Sequence, residues 1–428
     1  MANHTQFSNL RSRRVAGSLV LVWLVAIIGG PTILAGTAGA ETFSVVHAFN
    51  APNGVIPYSG VTIRAGILYG TTVCLRYPNN CGNGSVYQIA PVGPNWYYTP
   101  ISLFSGGGET PQARVVFGPD NYLYGTTFGG GPQGQGAVFS LTPRPTICAT
   151  ANCFWTEKAL HFFTGSPDGD GPGGGDLVWD QLGNIYGTTI YGGTSSLGTV
   201  YQMTKSGNDW TEAPIYNFAG PDGGEPGAGV ILDGNGNLFG TTYQGGLYGF
   251  GTVFELTYNI NSGWAETVLY NFQNLNDGQA PFAGLVSDSA GNLYGATSDG
   301  GSGGGGTAFE LSPVGDTWTF TVIYSFSGEQ GKHCGARASL TMDNSGSLYA
   351  ATFCDGANSL GNVFKLTNTQ NGWQYTSLHD FTGGTDGAEP FSNVTTAADG
   401  TLYGTAAYGG NSSCNPPVGC GTVWKITP

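Results

Sequence analysis

From residue 42 onward the chain breaks into short runs rich in β-branched and aromatic residues, bounded by Gly, Asn or Asp. One stretch shows the whole pattern. Gly229-Val-Ile-Leu-Asp233 is followed by a turn at Gly234-Asn-Gly236 and by Asn237-Leu-Phe-Gly-Thr-Thr242. A glycine-rich loop leads to Gly251-Thr-Val-Phe-Glu-Leu256, and Trp264-Ala-Glu-Thr-Val-Leu-Tyr-Asn-Phe272 closes the unit. Runs of this length and composition between turn formers predict four β-strands, a to d.

The unit recurs. The aromatic residue of its Leu-Tyr-Gly-Thr-Thr motif stands at Tyr69, Tyr124, Tyr186, Phe239, Tyr294, Tyr349 and Tyr403, and the one long step contains the loop with Cys148 and Cys153. Self-similarity at such a period marks a repeat architecture. Phe43-Ser-Val-Val-His-Ala-Phe49 matches strand d, six complete a-b-c-d sets follow, and the chain ends on a, b and c with Gly421-Thr-Val-Trp-Lys-Ile426. A one-strand offset makes sense only if the array closes on itself. The sequence therefore predicts an all-β, seven-bladed β-propeller over residues 41–428 as one domain. Each blade has four antiparallel strands, and the N-terminal strand closes the last blade.

Composition agrees with this reading. With 74 Gly and 23 Pro in 428 residues, long helices are excluded, because Gly costs about 1 kcal/mol and Pro about 3 kcal/mol in a helix interior. The 23 Phe, 22 Tyr and 9 Trp, beside only 9% charged residues, exclude a disordered chain. Asp180, Asp233, Asp288 and Asp343 open an Asp-x-x-Gly-Asn/Ser link between a and b that reads as a tight turn. It lacks the alternating oxygen ligands of an EF-hand loop.

Arg11, Arg13 and Arg14 precede an apolar stretch from Val15 to Ile28, and Ala38-Gly39-Ala40 fits a small-residue cleavage site, so residues 1–40 read as a signal peptide. Gly29, Gly30 and Pro31 cut the apolar run short of the ~20 residues a membrane span needs. The expected location is secreted, periplasmic or cell-surface, with no transmembrane segment after cleavage. A net charge of −14, more negative still once the leader's arginines are removed, sets the chain against nucleic acid. All eight Cys lie after the leader, which predicts disulfides. In a propeller the d-to-a and b-to-c connections share one face. That partition allows four local pairs: Cys74–Cys81, Cys148–Cys153, Cys334–Cys354 and Cys414–Cys420.

The same face collects Phe128, Tyr191, Tyr243, Asp299, Asp355 and Tyr408 from b-to-c loops, and Asp168, Asp222, Asp277 and Asp386 from d-to-a connections. Aromatic faces among acidic or amide acceptors suit a polar ligand such as a sugar. Asp222, Asp277 and Asp386 recur in Asp-Gly-x-x-Pro, so turn formation competes with ligand or metal contact, and no metal or cofactor is expected. His47, His161 and His379 take the strand-d place of Tyr216, Tyr270 and Tyr324. His333, beside Cys334, falls outside the repeat and is the candidate base, though no nucleophile accompanies it. Catalytic acids should break the repeat, which singles out Glu109 and Glu329 for a polysaccharide hydrolase or lyase. A non-catalytic module that binds a glycan or an extracellular protein is the favoured reading, beside a purely structural surface module.

Gly284 to Tyr294, Gly-Leu-Val-x-Asp-x-x-Gly-Asn-Leu-Tyr, resembles the hairpin of NHL-type propellers. The wider unit adds Gly-Thr-Val-Phe-x-Leu-Thr, Trp-x-Glu-Thr-Val-Leu-Tyr-x-Phe and Asp-Gly-x-x-Pro, and is similar to the GloVer tandem repeat family over essentially all of residues 42–428. That resemblance implies an exported bacterial repeat protein and no particular chemistry.

Overall fold

The computed structural model describes residues 41–50, 54–75, 83–104, 109–144, 154–328 and 332–428. They form seven antiparallel sheets in a ring, a seven-bladed β-propeller, with no helix among the described residues. Blade 4 shows the plan: Ile231–Leu232, Leu238–Thr242, Thr252–Asn259 and Gly263–Asn271 are strands a to d. Strand a lines the ring axis and strand d lies outermost.

Blade 7 is closed by the N-terminal strand. Thr42–Ala48 pairs antiparallel with Thr422–Thr427, with Thr42 opposite Thr427 and Ala48 opposite Thr422. Blade 3 holds one strand more than the repeat predicts, because Asp170–Pro172, part of its d-to-a connection, pairs with Ile185–Tyr191. Elsewhere the same connection makes a single bridge to its b-to-c loop, as at Gln279 with Asp299 and Ala388 with Tyr408. These bridges place both kinds of loop on one face.

The Gly-Thr-Thr of strand b has a physical reason at each position. A Cβ on Gly240 would lie 2.5 Å from Cζ of Phe254 on strand c, so only glycine lets the fully buried ring approach. Thr241 Oγ1 donates to the carbonyl of Ala283 in the next blade at 2.9 Å, and Thr242 Oγ1 meets Thr252 Oγ1 at 2.8 Å. Buried hydroxyls thus find partners while binding neighbouring strands and blades together.

Blades are also joined by tryptophans. Trp264 at the start of strand d packs on Tyr186 of the preceding blade at 6.0 Å, and Trp155, Trp210, Trp318 and Trp373 repeat the contact on Tyr69, Tyr124, Phe239 and Tyr294. Trp96 closes on Tyr403 of blade 7. Such edge-on pairs, with Trp155 on Tyr69 tilted, contribute about 0.5–1.5 kcal/mol each beyond area burial. The seam between blades 6 and 7 differs: repeat register puts Glu41 in the Trp position, and Lys365 lies 5.3 Å from the Tyr349 ring centre.

Cys334 is bonded to Cys354 and Cys414 to Cys420. Cys74 is also in a disulfide. Its expected partner Cys81, and the expected pair Cys148 and Cys153, lie outside the described residues, as do residues 1–40.

Candidate functional site

The seven d-to-a connections converge on the ring axis before each turns down into strand a. Tyr58, Gln112, Phe282 and Phe391 directly follow Pro57, Pro111, Pro281 and Pro390, and Arg337 takes the equivalent place after Ala336. These five side chains, with Tyr243, Ser298 and His333 beside them, wall a cavity of about 210 Å³. At the equivalent positions blades 3 and 4 carry Gly174 and Gly227, the latter covered by the Phe282 ring, and blade 4 adds Tyr243 from its b-to-c loop.

Aromatic rings form much of the wall. Tyr58 stacks on Phe391 at 4.2 Å and Phe391 meets Phe353 at 4.6 Å. The Arg337 guanidinium lies 4.3 Å from the Phe353 ring centre and 5.4 Å from that of Phe391, distances at which a cation is attracted to the ring face. Burial lowers the Arg337 pKa, opposed in part by Tyr58, Tyr243 and Glu389. Burial also pushes the Tyr58 hydroxyl up to about 12, with Arg337 acting the other way.

One layer down, Arg114 is committed to structure. Its Nε donates to Asp176 at 3.0 Å, its Nη2 forms an ion pair with the same carboxylate, and its Nη1 donates to Thr395 Oγ1 at 3.0 Å. Blades 2, 3 and 7 are thereby tied together across the axis.

Among the described residues His333 forms no proton relay. A hydrolytic triad uses one imidazole nitrogen for the nucleophile and the other for the carboxylate. Here Nδ1 alone faces both Ser298 Oγ at 3.4 Å and Asp299 Oδ2 at 4.0 Å. Asp299 is buried and accepts from Gln279 Nε2 at 2.8 Å.

The sequence candidates divide. Tyr243 lines the cavity and Asp299 lies just behind it under His333. Tyr191 is exposed, Phe128 lies against Gly171, Asp355 accepts from Ser327 Oγ, and Tyr408 makes backbone bonds to Ala388. None of these four is in the cavity wall. The Glu109 carbonyl accepts from Gly84 N–H at 2.8 Å, and Glu329 lies outside the described residues. The wall residues Tyr58, Gln112, Phe282, Arg337 and Phe391 were not singled out by sequence reasoning. The available signal was the position after the turn proline, which varies from blade to blade while the turn itself repeats.

The four aspartates hold their turns. Asp222 accepts from Ala219 N–H at 2.9 Å and Tyr216 Oη at 2.6 Å, and Asp277 from Gln273 N–H at 2.9 Å and Tyr270 Oη at 3.0 Å. Asp386 accepts from Thr382 N–H and faces His379 Nε2 at 3.1 Å. The Tyr or His of strand d is therefore a tether to the interblade turn. It is also a blade-to-blade contact, as where Tyr270 stacks on Phe320 at 3.9 Å and His379 on Phe43 at 3.6 Å. Asp168 accepts from Thr164 N–H and differs in its neighbours, since His161 and Glu212 bring ligand atoms within 4.8 Å. Glu212 replaces the stacking ring there, and burial followed by Asp168 raises its carboxyl to about 9.

In fold the chain is similar to PorZ, an essential surface component of the type-IX secretion system of Porphyromonas gingivalis, at 14% identity and a TM-score of 0.50, covering 90% of this chain and 48% of that one. It is similar to an ancestral GH74 enzyme at 13% identity and a TM-score of 0.50, covering 88% and 48%. The chain spans about half the length of both, and the likeness is one of fold. No curated protein sequence matches it. Residues 155–263 and 257–428 match the Gloeobacter/Verrucomicrobia repeat, the same unit that builds the blades, and the chain belongs to that repeat family.

Proposed function

We propose that the protein is an exported, non-catalytic binding module that holds a glycan at the axial cavity of its loop-rich face. The observation that carries this reading is the wall itself: five positions equivalent in the repeat supply Tyr58, Gln112, Phe282, Arg337 and Phe391 around one opening. Flat rings offer a surface for the apolar face of a sugar, and amide and guanidinium groups offer hydrogen bonds to its hydroxyls. The two described disulfides and the leader-like residues 1–40 support export, since disulfides persist in oxidising compartments. The likeness to a bacterial surface component is in keeping with that location.

Glycoside hydrolysis uses two carboxyl groups about 5–9.5 Å apart across the scissile bond. Among the described residues no carboxylate lines this cavity, and Asp176 below it is paired with Arg114. Both facts favour binding without turnover. The test is a glycan array probed with residues 41–428. Binding without release of reducing ends or unsaturated products is expected, as is loss of signal in Tyr58→Ala and Phe391→Ala. Turnover would support the enzyme alternative instead.

A further inference from the structure

The two axial arginines are in opposite states. Arg114 spends its guanidinium on Asp176 and Thr395. Arg337 is held by a single bond from Nε to the His333 carbonyl at 3.3 Å and by the rings beneath it. Its two Nη groups have no hydrogen-bond or ion-pair partner among the described residues, and Glu389 acts on it only from beyond ion-pair distance. Lining a partly desolvated cavity with an unpaired cation is costly. The chain carries 27 acidic residues, and among the described ones none is ion-paired with Arg337.

Arg337 also sits where the repeat is broken. The d-to-a connections at Asp168, Asp222, Asp277 and Asp386 use Asp-Gly-x-x-Pro, whereas this one lacks both the Asp and the Pro, reads Lys332-His-Cys-Gly-Ala336 and is fastened by Cys334–Cys354 to the b-to-c loop of its own blade. His333 is held at a φ of 53° in that segment, a conformation that non-glycine residues rarely adopt. The equivalent Gly54, Gly223, Gly278 and Gly387 also have positive φ, so the departure lies in the side chains, and the disulfide fastens the segment just before Arg337.

We infer that Arg337 is the anchor for a carboxylate on the ligand, and that the cavity takes an acidic sugar of the uronic acid class. This rests on the glycan-binding reading of the same cavity. A guanidinium fork matches a carboxylate with two parallel N–H···O bonds. Among the other polar groups of the wall, Arg114 is already paired with Asp176, and the uncharged Gln112, Asn393, Ser59 and Ser339 suit hydroxyls. At about 210 Å³ the cavity lies below the ~300 Å³ at which drug-sized pockets begin, so it takes one ring and not a long chain.

The test is calorimetric titration of residues 41–428 with uronic acid oligosaccharides, their methyl esters and the matching neutral oligosaccharides. The free uronates are expected to bind about tenfold or more tightly than either uncharged series. Arg337→Gln should erase that preference, lowering uronate affinity by more than it lowers neutral-sugar affinity, and Arg337→Lys should restore only part of it, because an ammonium lacks the planar fork. The ester comparison uses the unaltered protein and stands even if a variant fails to fold. Equal binding of uronate, ester and neutral sugar would overturn the carboxylate inference and leave glycan binding intact. Binding of none of the three by folded protein would overturn both, as would binding only of peptides with a free C-terminal carboxylate.

Discussion

The hub of strands b and c and the mouth above it are built from the same seven repeats and treat them oppositely. In the hub, Gly70, Gly125, Gly187, Gly240, Gly295 and Gly404 each face a strand-c ring, where a Cβ would come within 2.3–2.8 Å. At the mouth, Tyr58, Gln112, Phe282, Arg337 and Phe391 stand in equivalent positions with little in common. Six blades meet this packing demand with glycine and blade 6 meets it with Ala350 opposite Phe364, so the residues that satisfy it recur with little change. Under the proposed binding role, a ligand on the axis has no sevenfold symmetry, which accounts for the differences among the residues around it. The contrast separates scaffold from recognition without reference to any relative.

The sharpest way to break this comparison is to remove the strand that makes the hub a ring. Deleting residues 41–48 strips blade 7 of its outer strand and exposes the edge of Thr422–Thr427. It should give the largest fall in melting temperature of the changes considered, measured by calorimetry. An unchanged transition would show that the ring does not depend on closure.

Next in size, Phe254→Ala empties a fully buried hub position and should cost about 3–5 kcal/mol in urea unfolding. Phe282→Ala, at the mouth, should cost about 1 kcal/mol or less and act on binding. Similar losses at both would erase the distinction between hub and mouth.

The Cys334–Cys354 link joins residues 20 apart, so replacing both with Ser should cost at most about 3 kcal/mol. The same change loosens the connection that carries Arg337, so ligand affinity should fall by more than it does in Phe254→Ala, measured on the fraction that remains folded.

The smallest expected effect lies at the outer girdle. Burial, and then Asp222, raise the Glu266 carboxyl from 4.5 to about 7. The folded chain therefore holds a proton that the unfolded chain releases. That contribution to stability is full below pH 4.5 and is lost as pH rises through about 7. Glu266→Gln should flatten this part of the urea midpoint's pH profile and leave binding untouched.

Much of the fold was legible because the repeat states its own demands seven times: strand lengths, the Gly-Thr-Thr approach and the one-strand offset are all local patterns. The fifth strand of blade 3 was not, since Asp170–Pro172 pairs only because Tyr191 and Thr189 happen to lie opposite it. The site was legible only as a face. Tyr191, Asp355 and Tyr408 lie on the expected side of the ring, but distance from the axis follows from closure and from which strand is innermost. Residues after the turn proline lead directly into strand a, and that is why they reach the centre. Departure from the repeat singled out His333, and in the same connection, four residues on, Arg337 presents to the cavity a guanidinium whose Nη groups have no partner among the described residues.

The division between hub and mouth is tested most directly by measuring melting temperature and glycan-array binding together on a Tyr58→Ala, Phe282→Ala double variant. The expected result is loss of binding with a melting temperature within about 3 °C of the parent. Retained binding, or a melting temperature lowered as far as in Phe254→Ala, would contradict it.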